Sequence, residues 1–494
     1  MWAAGRMAWL PGTAYTPGGG KGPGGRTLGG RASRCGDKSG GPLSEPRGPG
    51  FVMRRVVGNV HAARTCWGIA FGVLVFLLVE NFPYAGSNNA KDWDFFYFAA
   101  EALVQGTDLY ESGETAGYIY PPFLAFVLMP LVALGFQASA QVWFVVMVLA
   151  TAWGVWVAGR EALSRLTPAR SVSEAWKEVG ATVALAGVFS LNVARREFEH
   201  TQTDWVTVLA FTLSLVWMER RPVLAGIFLG AAANIKYHTL IVVPYLIVRG
   251  RYRMAASTLG STIVFALLPG AVIGWGLNLD YLRRAFGGLA QFAGVESEDR
   301  ANVWGLTHLD SISGTSALGR LAEGMGSQGR SLTVVLVALA ASACLGVAWW
   351  MYRRHGRALF ARPVRDAATR GLGLVVMTEW TGLIVATLVF SPQTLKRHMF
   401  LLVPVYAIAA AMLVRARKTP WVLLAGLAVS MLALVLPPRS EGMHAASDAW
   451  RAVGGASWGL LAMFFAMLWT SLEWAGEEAR SVGAPVGSSE VSLR

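Results

Sequence analysis

Apolar residues gather in long runs along this chain, and short polar segments separate them. Most runs approach the roughly 20 residues that a helix needs to cross the hydrocarbon core of a bilayer. The pattern therefore predicts an all-α polytopic membrane protein. Thirteen runs stand out, at residues 64–82, 119–135, 138–159, 178–193, 203–218, 222–235, 238–248, 255–276, 332–352, 371–391, 397–414, 419–436 and 455–474.

The second run, 119–135, differs from the others because prolines interrupt it. Its sequence is IYPPFLAFVLMPLVALG, with Pro121, Pro122 and Pro130. Proline removes a backbone hydrogen-bond donor and kinks or breaks a helix, which suits a half-inserted or interfacial helix better than a straight span. With this run set aside, about twelve transmembrane helices are predicted.

The basic residues of the loops favour the same count. With twelve spans, the short loops rich in arginine and lysine lie on the side of the N-terminus, as the positive-inside rule expects. If residues 119–135 crossed the membrane, these loops would move outside while the basic N-terminus stayed in. Both termini are therefore predicted to be cytoplasmic. The loops concerned are residues 160–177, 220–221, 249–253, 353–370 and 415–418.

Composition agrees with a membrane protein and narrows its partners. The chain is 54% hydrophobic and 15% charged, whereas a soluble domain is about 25% charged. The net charge of +13 is a topology signal in a chain with basic short loops, so we expect no nucleic-acid partner. The cysteines, Cys35, Cys66 and Cys344, form no CxxC pair, and neither a disulfide framework nor a zinc site is supported.

Composition also divides the chain into three parts. Residues 1–58 are rich in Gly, Pro and Arg, and we expect a disordered cytoplasmic segment because such a sequence cannot bury a core. Met53 begins a basic stretch before the first span and is an alternative start of the protein. Residues 59–475 form the predicted membrane domain, and residues 476–494 form a predicted cytoplasmic tail.

The polar clusters that topology does not explain all fall on the extracytoplasmic side. The first loop carries Asp92 and Asp94, followed by a predicted amphipathic helix rich in aromatic residues. Three later segments and the long stretch 277–331 add charged residues to the same side. The clusters in the three segments are Arg195, Arg196, Glu199, His200 and Asp204; Lys236 and His238; and Lys396, Arg397 and His398.

Carboxylates beside a membrane, surrounded by cations, suit transfer from a lipid-linked phosphate donor. A carboxylate can act as general base and take a proton from a sugar hydroxyl that attacks an anomeric carbon. The leaving polyprenyl phosphate develops negative charge, which Arg, Lys or protonated His can stabilise. A donor with an isoprenoid tail lies in the bilayer, so its reactive head emerges where Asp92 and Asp94 are predicted to lie.

These residues resemble the first-loop signature of glycosyltransferase family 87. The stretch DWDFFYFAAEALVQGTDLY and the following YIYPPFLAFVLMPLVAL carry an Asp, an aromatic pair, Ala-Ala, a Gly-containing turn and Tyr-Pro-Pro. The similarity continues through ERRPVLAGIFLGAAANIKYHTLIVVPYLIVRGRYR and SPQTLKRHMFLLVPVY, over roughly residues 60 to 440.

The resemblance implies a GT-C-type architecture and a defined reaction. Such enzymes typically transfer mannose from polyprenyl phosphate mannose to a glycolipid or glycan outside the cytoplasm, with inversion. The family's catalytic Asp stands seven residues before an Ala-Ala pair, here Ala99 and Ala100, so Asp92 matches and Asp94 is the second candidate. The expected location is the cytoplasmic (inner) membrane of a bacterium.

The chain departs from the family pattern in two places. In HTQTDW, Gln202 is kept, but Thr201 stands where relatives commonly have Gly and Asp204 where they have Asn. After Lys236, a Tyr-His pair replaces the usual apolar-Thr-Pro sequence. These departures bear on the donor and the acceptor more than on the class of reaction.

Twelve side chains are candidates to bind the donor or the acceptor, and each has a structural alternative. Outer basic pairs can contact lipid headgroups, lysines can snorkel to the interface, and tyrosines can anchor a helix there. Asp92 is also a favoured N-cap residue for the helix after it. The candidates are Arg195, Arg196, Glu199, His200, Gln202, Lys236, His238, Lys396, Arg397, His398, Tyr110 and Tyr120.

Neither a cofactor nor a metal is demanded by the sequence. It contains no P-loop and no HExxH motif. A transporter or lipid flippase for a polyprenyl-linked substrate is the alternative function, and it would place polar groups near the bilayer midplane. Glu379, beside Thr378 and Thr381, lies at such a position and is expected to be a protonated, hydrogen-bonded structural residue.

Overall fold

The structure is a computed structural model that describes residues 60–85, 92–110, 118–166, 171–290, 305–326, 330–360, 370–416, 418–437 and 442–481. All of these residues lie in one compact unit, residues 48–494. The predicted N-terminal segment and most of the predicted tail lie outside the described residues. The predicted domain boundaries therefore stay predictions.

The described ranges are helical and contain no strand. Three 3-10 helices occur in them, at Phe82–Tyr84, Tyr237–Ile241 and Lys396–Leu402. The α-helices are α1 (Val60–Asn81), α2 (Trp93–Gln105), α3 (Pro122–Val132), α4 (Phe136–Leu166), α5 (Val172–His200), α6 (Asp204–Trp217), α7 (Pro222–Ala233), α8 (Val242–Val248), α9 (Tyr252–Leu267), α10 (Gly270–Ile273), α11 (Trp275–Ala290), α12 (Gly314–Gly324), α13 (Arg330–Arg354), α14 (Arg370–Phe390), α15 (Val403–Arg415), α16 (Trp421–Val435), α17 (His444–Ala452) and α18 (Gly455–Ser481).

Seven helices among the described residues are long and apolar enough to cross a membrane. Four more of the predicted spans coincide with apolar helices of 10–17 residues. The remaining predicted span, residues 178–193, coincides with α5. The count of twelve therefore stays a prediction. The seven are Val60–Tyr84, Phe136–Leu166, Tyr252–Ile273, Arg330–Arg354, Gly373–Phe390, Lys396–Arg415 and Gly455–Glu477.

Two helices correspond to the predicted first-loop features. Helix α2 follows Asp92 directly and buries Trp93, Phe96 and Ala100 on one face, as the amphipathic pattern predicts. Helix α3 begins at the second proline of the YPP sequence and has 11 residues. At about 1.5 Å per residue it spans roughly 16 Å, which is too short to cross a hydrocarbon core of about 30 Å.

Helix α15 lies at the centre of the bundle. Its residues Val403–Val414 are all buried, and it packs against α4, α5 and α14. The run of alanines in VPVYAIAAAMLV lets the neighbouring helices approach closely. The 3-10 helix Lys396–Leu402 continues directly into α15, and its last four residues are also buried. The core thereby fixes the backbone of the basic segment that begins at residue 396.

Three helices form an apolar periphery. In the most apolar windows of α1 and α13 only 11% of the residues are buried, and in that of α9 only 17%. Exposed apolar side chains such as Phe71, Ile263 and Leu339 are unfavourable in water but compatible with lipid. These helices therefore supply surface that faces the bilayer.

Helices α7 and α9 are in backbone contact at two glycines of α7. A Cβ atom on Gly226 would lie 2.7 Å from the carbonyl oxygen of Met254. On Gly230 it would lie 2.8 Å from the carbonyl oxygen of Thr258 and 2.7 Å from the amide nitrogen of Thr262. Such distances are shorter than real Cβ atoms show, so only glycine permits this approach.

We predict that Gly230→Ala lowers the free energy of unfolding by about 1–3 kcal/mol, because the added methyl group forces α7 away from α9. The matched control is Gly260→Ala in α9, where an added Cβ meets no atom within 4 Å. The control should change stability by less than about 1 kcal/mol. Thermal unfolding in detergent measures both, and equal midpoints for the two variants would contradict this packing.

Candidate active site

The carboxylate of Asp92 contacts two distant parts of the chain. It precedes α2 at the N-cap position, yet its side chain makes no capping hydrogen bond. Its Oδ2 accepts a hydrogen bond of 2.7 Å from Nη1 of Arg397 and another from Nε2 of Gln202. Asp92 is buried, with 7% of its surface exposed. The predicted N-cap alternative is therefore not what its side chain does.

A left-handed turn between α5 and α6 presents Gln202 to Asp92. Thr201 ends α5 with φ 51° and is buried. Oε1 of Gln202 accepts a hydrogen bond of 3.1 Å from the backbone N–H of Thr203, so the amide NH2 faces the Asp92 carboxylate. The carbonyl of Gln202 accepts from the Trp143 indole at 3.3 Å. Hydrogen bonds to the side chain and to the backbone carbonyl of Gln202 thus fix the orientation of this residue.

A second carboxylate–cation pair lies in the same region. Nζ of Lys236 is 3.0 Å from Oδ1 of Asp204, and both side chains are buried. The Lys236 ammonium also lies 5.7 Å from the ring centroid of Tyr120. Oε1 of Glu197, which is fully buried, accepts the backbone N–H of Asp204 at 2.8 Å.

The charge of Lys236 is maintained by these neighbours. Burial lowers the pKa of the Lys236 ammonium, but Asp204, Tyr120 and Glu197 raise it by more, and Arg397 lowers it again. The net result is a pKa above the ordinary value of lysine. Lys236 is therefore a cation at neutral pH in spite of its burial.

The two cations face a common cavity of about 340 Å³. Lys236 and Arg397 line it together with His238 and His398, whereas no carboxylate does among the described lining residues. Asp92 therefore does not line the cavity itself, whereas its ion-pair partner Arg397 does. Each carboxylate of the two pairs lies behind its cation, and the cavity presents positive charge.

Two polar atoms of cavity-lining residues have no hydrogen-bond partner within the described ranges. They are Nε of Arg397 and Nε2 of His238, and both atoms are buried. A buried polar atom without a partner costs about 1–3 kcal/mol. Lys236 and Arg397 give the lining positive charge, so the wall is suited to bind an anion.

Another part of the cavity lining is apolar. It comes from α9 and α11, through Ile263, Leu267 and Phe286. Ile263 and Phe286 are 60% and 52% exposed, so this wall extends to the outer surface of the bundle. The cavity thus combines a cationic side with a side that a hydrocarbon chain can contact.

A serine-rich segment holds the loop that carries Arg397 and His398. The carbonyl of Thr394 accepts a hydrogen bond of 2.8 Å from the N–H of Ile312. The N–H of Thr394 donates to Oγ of Ser311 at 3.2 Å. Oγ of Ser316 donates to the carbonyl of Pro392 at 2.9 Å. Sequence reasoning assigned no role to these serines, because short polar residues in a long loop carry no distinctive pattern.

Of the predicted binding residues in α5, none lines the cavity. Arg195 is 57% exposed and forms an ion pair of 2.6 Å with Glu80. Arg196 is exposed, Glu199 is half-buried, and Nδ1 of His200 lies 2.8 Å from the carbonyl oxygen of Arg196. Their predicted role in binding stays a prediction.

Sequence reasoning missed Glu197, which faces the site instead. Glu197 lies on the same side of α5 as the buried Val193, Ala194 and Phe198. Apolar residues at positions three and four before a carboxylate place it on the buried face of a helix. That periodicity was the available signal, and the charge of the neighbouring arginines masked it.

The other predicted residues divide between the cavity and its surroundings. Tyr120 lines the cavity, and the O–H of Tyr110 donates to its carbonyl at 2.7 Å. Burial raises the pKa of Tyr110, so this hydroxyl keeps its proton. Lys396 is half-buried at the start of the 3-10 helix, and Asp94 is half-buried in the first turn of α2.

Comparison with known protein families finds a match. The model of glycosyltransferase family 87 matches residues 118–392, which is more than half of the chain. The matched region contains Gln202, Asp204 and Lys236, begins after Asp92 and ends before Arg397. No curated protein and no solved structure matches the chain.

Glu379, the predicted intramembrane carboxylate, has an arginine and two tyrosines as hydrogen-bond partners. Its Oε2 accepts hydrogen bonds from Nε of Arg249 at 2.9 Å and from the hydroxyl of Tyr245 at 2.8 Å. Tyr352 donates to Oε1. The neighbouring threonines, Thr378 and Thr381, donate to carbonyls of their own helix. Glu379 is hydrogen-bonded as expected, and it is also the buried partner of an arginine, whereas its protonation stays a prediction.

We predict that Arg249→Met lowers the free energy of unfolding by about 3–5 kcal/mol, because it leaves the Glu379 carboxylate buried without its counter-charge. The control is Arg251→Met, which removes a more exposed pair with Glu219 and should cost about 1 kcal/mol or less. Thermal unfolding in detergent compares them. Similar losses of unfolding free energy in both variants would show that the Arg249–Glu379 pair stabilises the fold no more than the Arg251–Glu219 pair.

Proposed function

We propose a reaction from one premise: the chain belongs to glycosyltransferase family 87. It is a multi-pass membrane glycosyltransferase. We propose that it moves a hexose, namely mannose, from a polyprenyl phosphate sugar to an extracytoplasmic glycolipid or glycan acceptor, with inversion. Its fold would be of the GT-C type.

The observation that carries this proposal is the cationic wall of the cavity. A phosphodiester headgroup that entered it would meet the ammonium of Lys236 and the guanidinium of Arg397. The guanidinium of Arg397 would bind the phosphate while its Nη1 stays on Asp92. Charge-assisted hydrogen bonds to phosphate are roughly twice as strong as neutral ones, and they stabilise the charge that develops on the leaving phosphate.

The apolar wall supports a donor with a lipid tail. Ile263, Leu267 and Phe286 offer hydrocarbon contact beside the cationic wall. Burial of apolar surface contributes about 25 cal/mol per Å², and it orients an isoprenoid chain toward the bilayer. A soluble nucleotide sugar would have no use for such a wall.

Asp92 is the proposed general base. The acceptor hydroxyl oxygen would attack the anomeric carbon from the side of Asp92 rather than from the donor cavity, and its proton would pass to Oδ1 of Asp92, since Oδ2 is held by Gln202 and Arg397. The bond from the anomeric carbon to the phosphate oxygen would break, and polyprenyl phosphate would leave with the electron pair. Gln202 and Arg397 would orient the carboxylate. Asp94, in the first turn of α2, is the alternative base.

The proposed topology puts this site on the extracytoplasmic side of a bacterial cytoplasmic membrane. Twelve spans with both termini inside would give that arrangement, and membrane lipids would be the surroundings, with no nucleic-acid partner. No group of three metal-ligating side chains occurs among the described residues, and we propose chemistry that does not demand a divalent cation.

The transporter alternative loses its main support, because the Glu379 carboxylate is paired with Arg249.

We predict that Asp92→Asn lowers kcat/KM for sugar transfer by about 10²–10⁴-fold, the usual contribution of a general base. The amide is isosteric with the carboxylate but removes the counter-charge of Arg397, so thermal unfolding is measured beside activity. The matched control is Asp94→Asn, which should keep most of the activity. Transfer is measured in lipid with polyprenyl phosphate mannose and membrane glycolipids; loss in the control alone would move the base to Asp94.

We predict that Arg397→Ala weakens binding of the polyprenyl phosphate donor by about tenfold to a hundredfold, because a hydrogen bond to a charged group is worth about 1.5–3 kcal/mol. Arg195→Ala, which removes an exposed cation paired with Glu80, is the control and should bind within about twofold of wild type. Donor titration with the purified variants measures both. A larger effect at Arg195 would place the phosphate outside the cavity.

A further inference from the structure

We infer that Asp204 is a positioning residue of the enzyme: its carboxylate holds Lys236 as a cation at the cavity wall, where Lys236 binds the donor phosphate. The inference rests on the proposed function, since it assigns the cation that the donor phosphate meets. It concerns a residue that lines no part of the cavity and would not be found by inspection of the lining.

The geometry of the pair shows how Asp204 acts on the lysine. Oδ1 of Asp204 is 3.0 Å from Nζ of Lys236, and Asp204 is fully buried. Its Oδ2 has no hydrogen-bond partner within the described part of the chain. A buried carboxylate with so few donors depends on a counter-charge, and Lys236 is that charge. The ammonium is thereby kept at one position between Asp204 and the cavity.

The position of Asp204 is fixed by its backbone. It is the first residue of α6, and its N–H donates to the Glu197 carboxylate at 2.8 Å. A negative side chain is favourable at a helix N-terminus because of the unpaired N–H groups there. The backbone hydrogen bond thus fixes the place of Asp204, the helix N-terminus favours its negative side chain, and Lys236 is its ion-pair partner.

Other charged and titratable groups face Lys236 as well. Tyr120 and Glu197 favour its charged form, whereas Arg397 disfavours it. His238 and His398 also interact with its charge. Burial lowers the pKa of Lys236 more than any single neighbour raises it, and Asp204 is the largest opposing influence. Without the charge of Asp204, the pKa of Lys236 must therefore fall.

This assignment has a consequence for pH dependence. A lysine is charged below its pKa, so a lower pKa moves the loss of charge to lower pH. Wild-type Lys236 stays charged through mildly alkaline solution because its pKa is raised. In Asp204→Asn the ammonium would lose its proton at lower pH than in wild type, and affinity for phosphate would fall with it.

The experiment measures binding of farnesyl phosphate to the purified full-length protein in detergent, between about pH 7.5 and pH 9.5. Farnesol, which has the tail without the phosphate, is the control ligand. We expect wild-type affinity to be flat across this range and that of Asp204→Asn to fall by about tenfold or more, the loss of one charge-assisted hydrogen bond. Glu178→Gln, in a buried pair with Arg415 away from the cavity, is the control variant and should stay flat.

A second substitution separates charge from structure. Arginine stays protonated at any pH in a protein, so Asp204→Asn combined with Lys236→Arg should restore a flat profile. A merely structural role for Asp204 predicts weaker binding with no pH dependence, and that result would overturn the inference. If Asp204→Asn does not fold, wild type is compared with Lys236→Arg over the same pH range. The inference is also overturned if wild-type affinity falls with rising pH while that of Lys236→Arg stays flat, because Lys236 would then lose its proton in spite of Asp204.

The proposed function fails in a different way. If wild type binds farnesol as tightly as farnesyl phosphate, the cavity does not recognise a phosphate, and the proposed function is wrong. If wild type prefers the phosphate but Asp204→Asn keeps the flat profile, the proposed function stands and the role of Asp204 is wrong.

Discussion

A cation buried beside a lipid bilayer needs a counter-charge, and this requirement organises the whole site. Removing an ion from water costs several kcal/mol even after the protein relaxes. Arg397 is balanced by Asp92, and Lys236 by Asp204. In both pairs the cation faces the cavity and the carboxylate lies behind it. The protein can therefore show positive charge to a ligand without carrying uncompensated charge in its interior.

The helical framework brings these pairs together from distant parts of the chain. Asp92 precedes α2, Asp204 begins α6, and Arg397 lies in the 3-10 helix that enters the buried α15. The serines near residue 311 fix the loop from the other side. Rigid attachment at each end is what holds a hydrogen-bonded carboxylate within reach of a guanidinium 305 residues away in sequence.

Much of this could be predicted from the sequence, because the physical signals are local. Apolar runs predict the membrane helices, and the prolines of residues 119–135 predict the short α3. The cavity residues Lys236, His238, Arg397 and His398 all come from clusters that the sequence singled out. The structure brings these four residues to one cavity, whereas their placement on the extracytoplasmic side rests on the positive-inside rule and stays a prediction.

The remainder could not be predicted because it depends on pairing. Nothing in the sequence shows that Arg397 meets Asp92 or that Arg249 meets Glu379, since such partners are separated by more than a hundred residues. The arginines of α5 were attractive because of their charge, but Glu197 on the buried face is the residue that supports the site. Twelve spans also stay a prediction, because five of the corresponding helices are shorter or less apolar than a typical span.

The central claim is that the Arg397–Lys236 wall binds the phosphate of a lipid-linked donor. The most direct measurement is a cryo-EM structure of the protein with a non-hydrolysable polyprenyl phosphate sugar analogue in lipid nanodiscs. The account predicts phosphate density within hydrogen-bond distance of both cations, with the prenyl chain along α9 and α11. Phosphate density against the exposed arginines of α5, with the cavity empty, would contradict it.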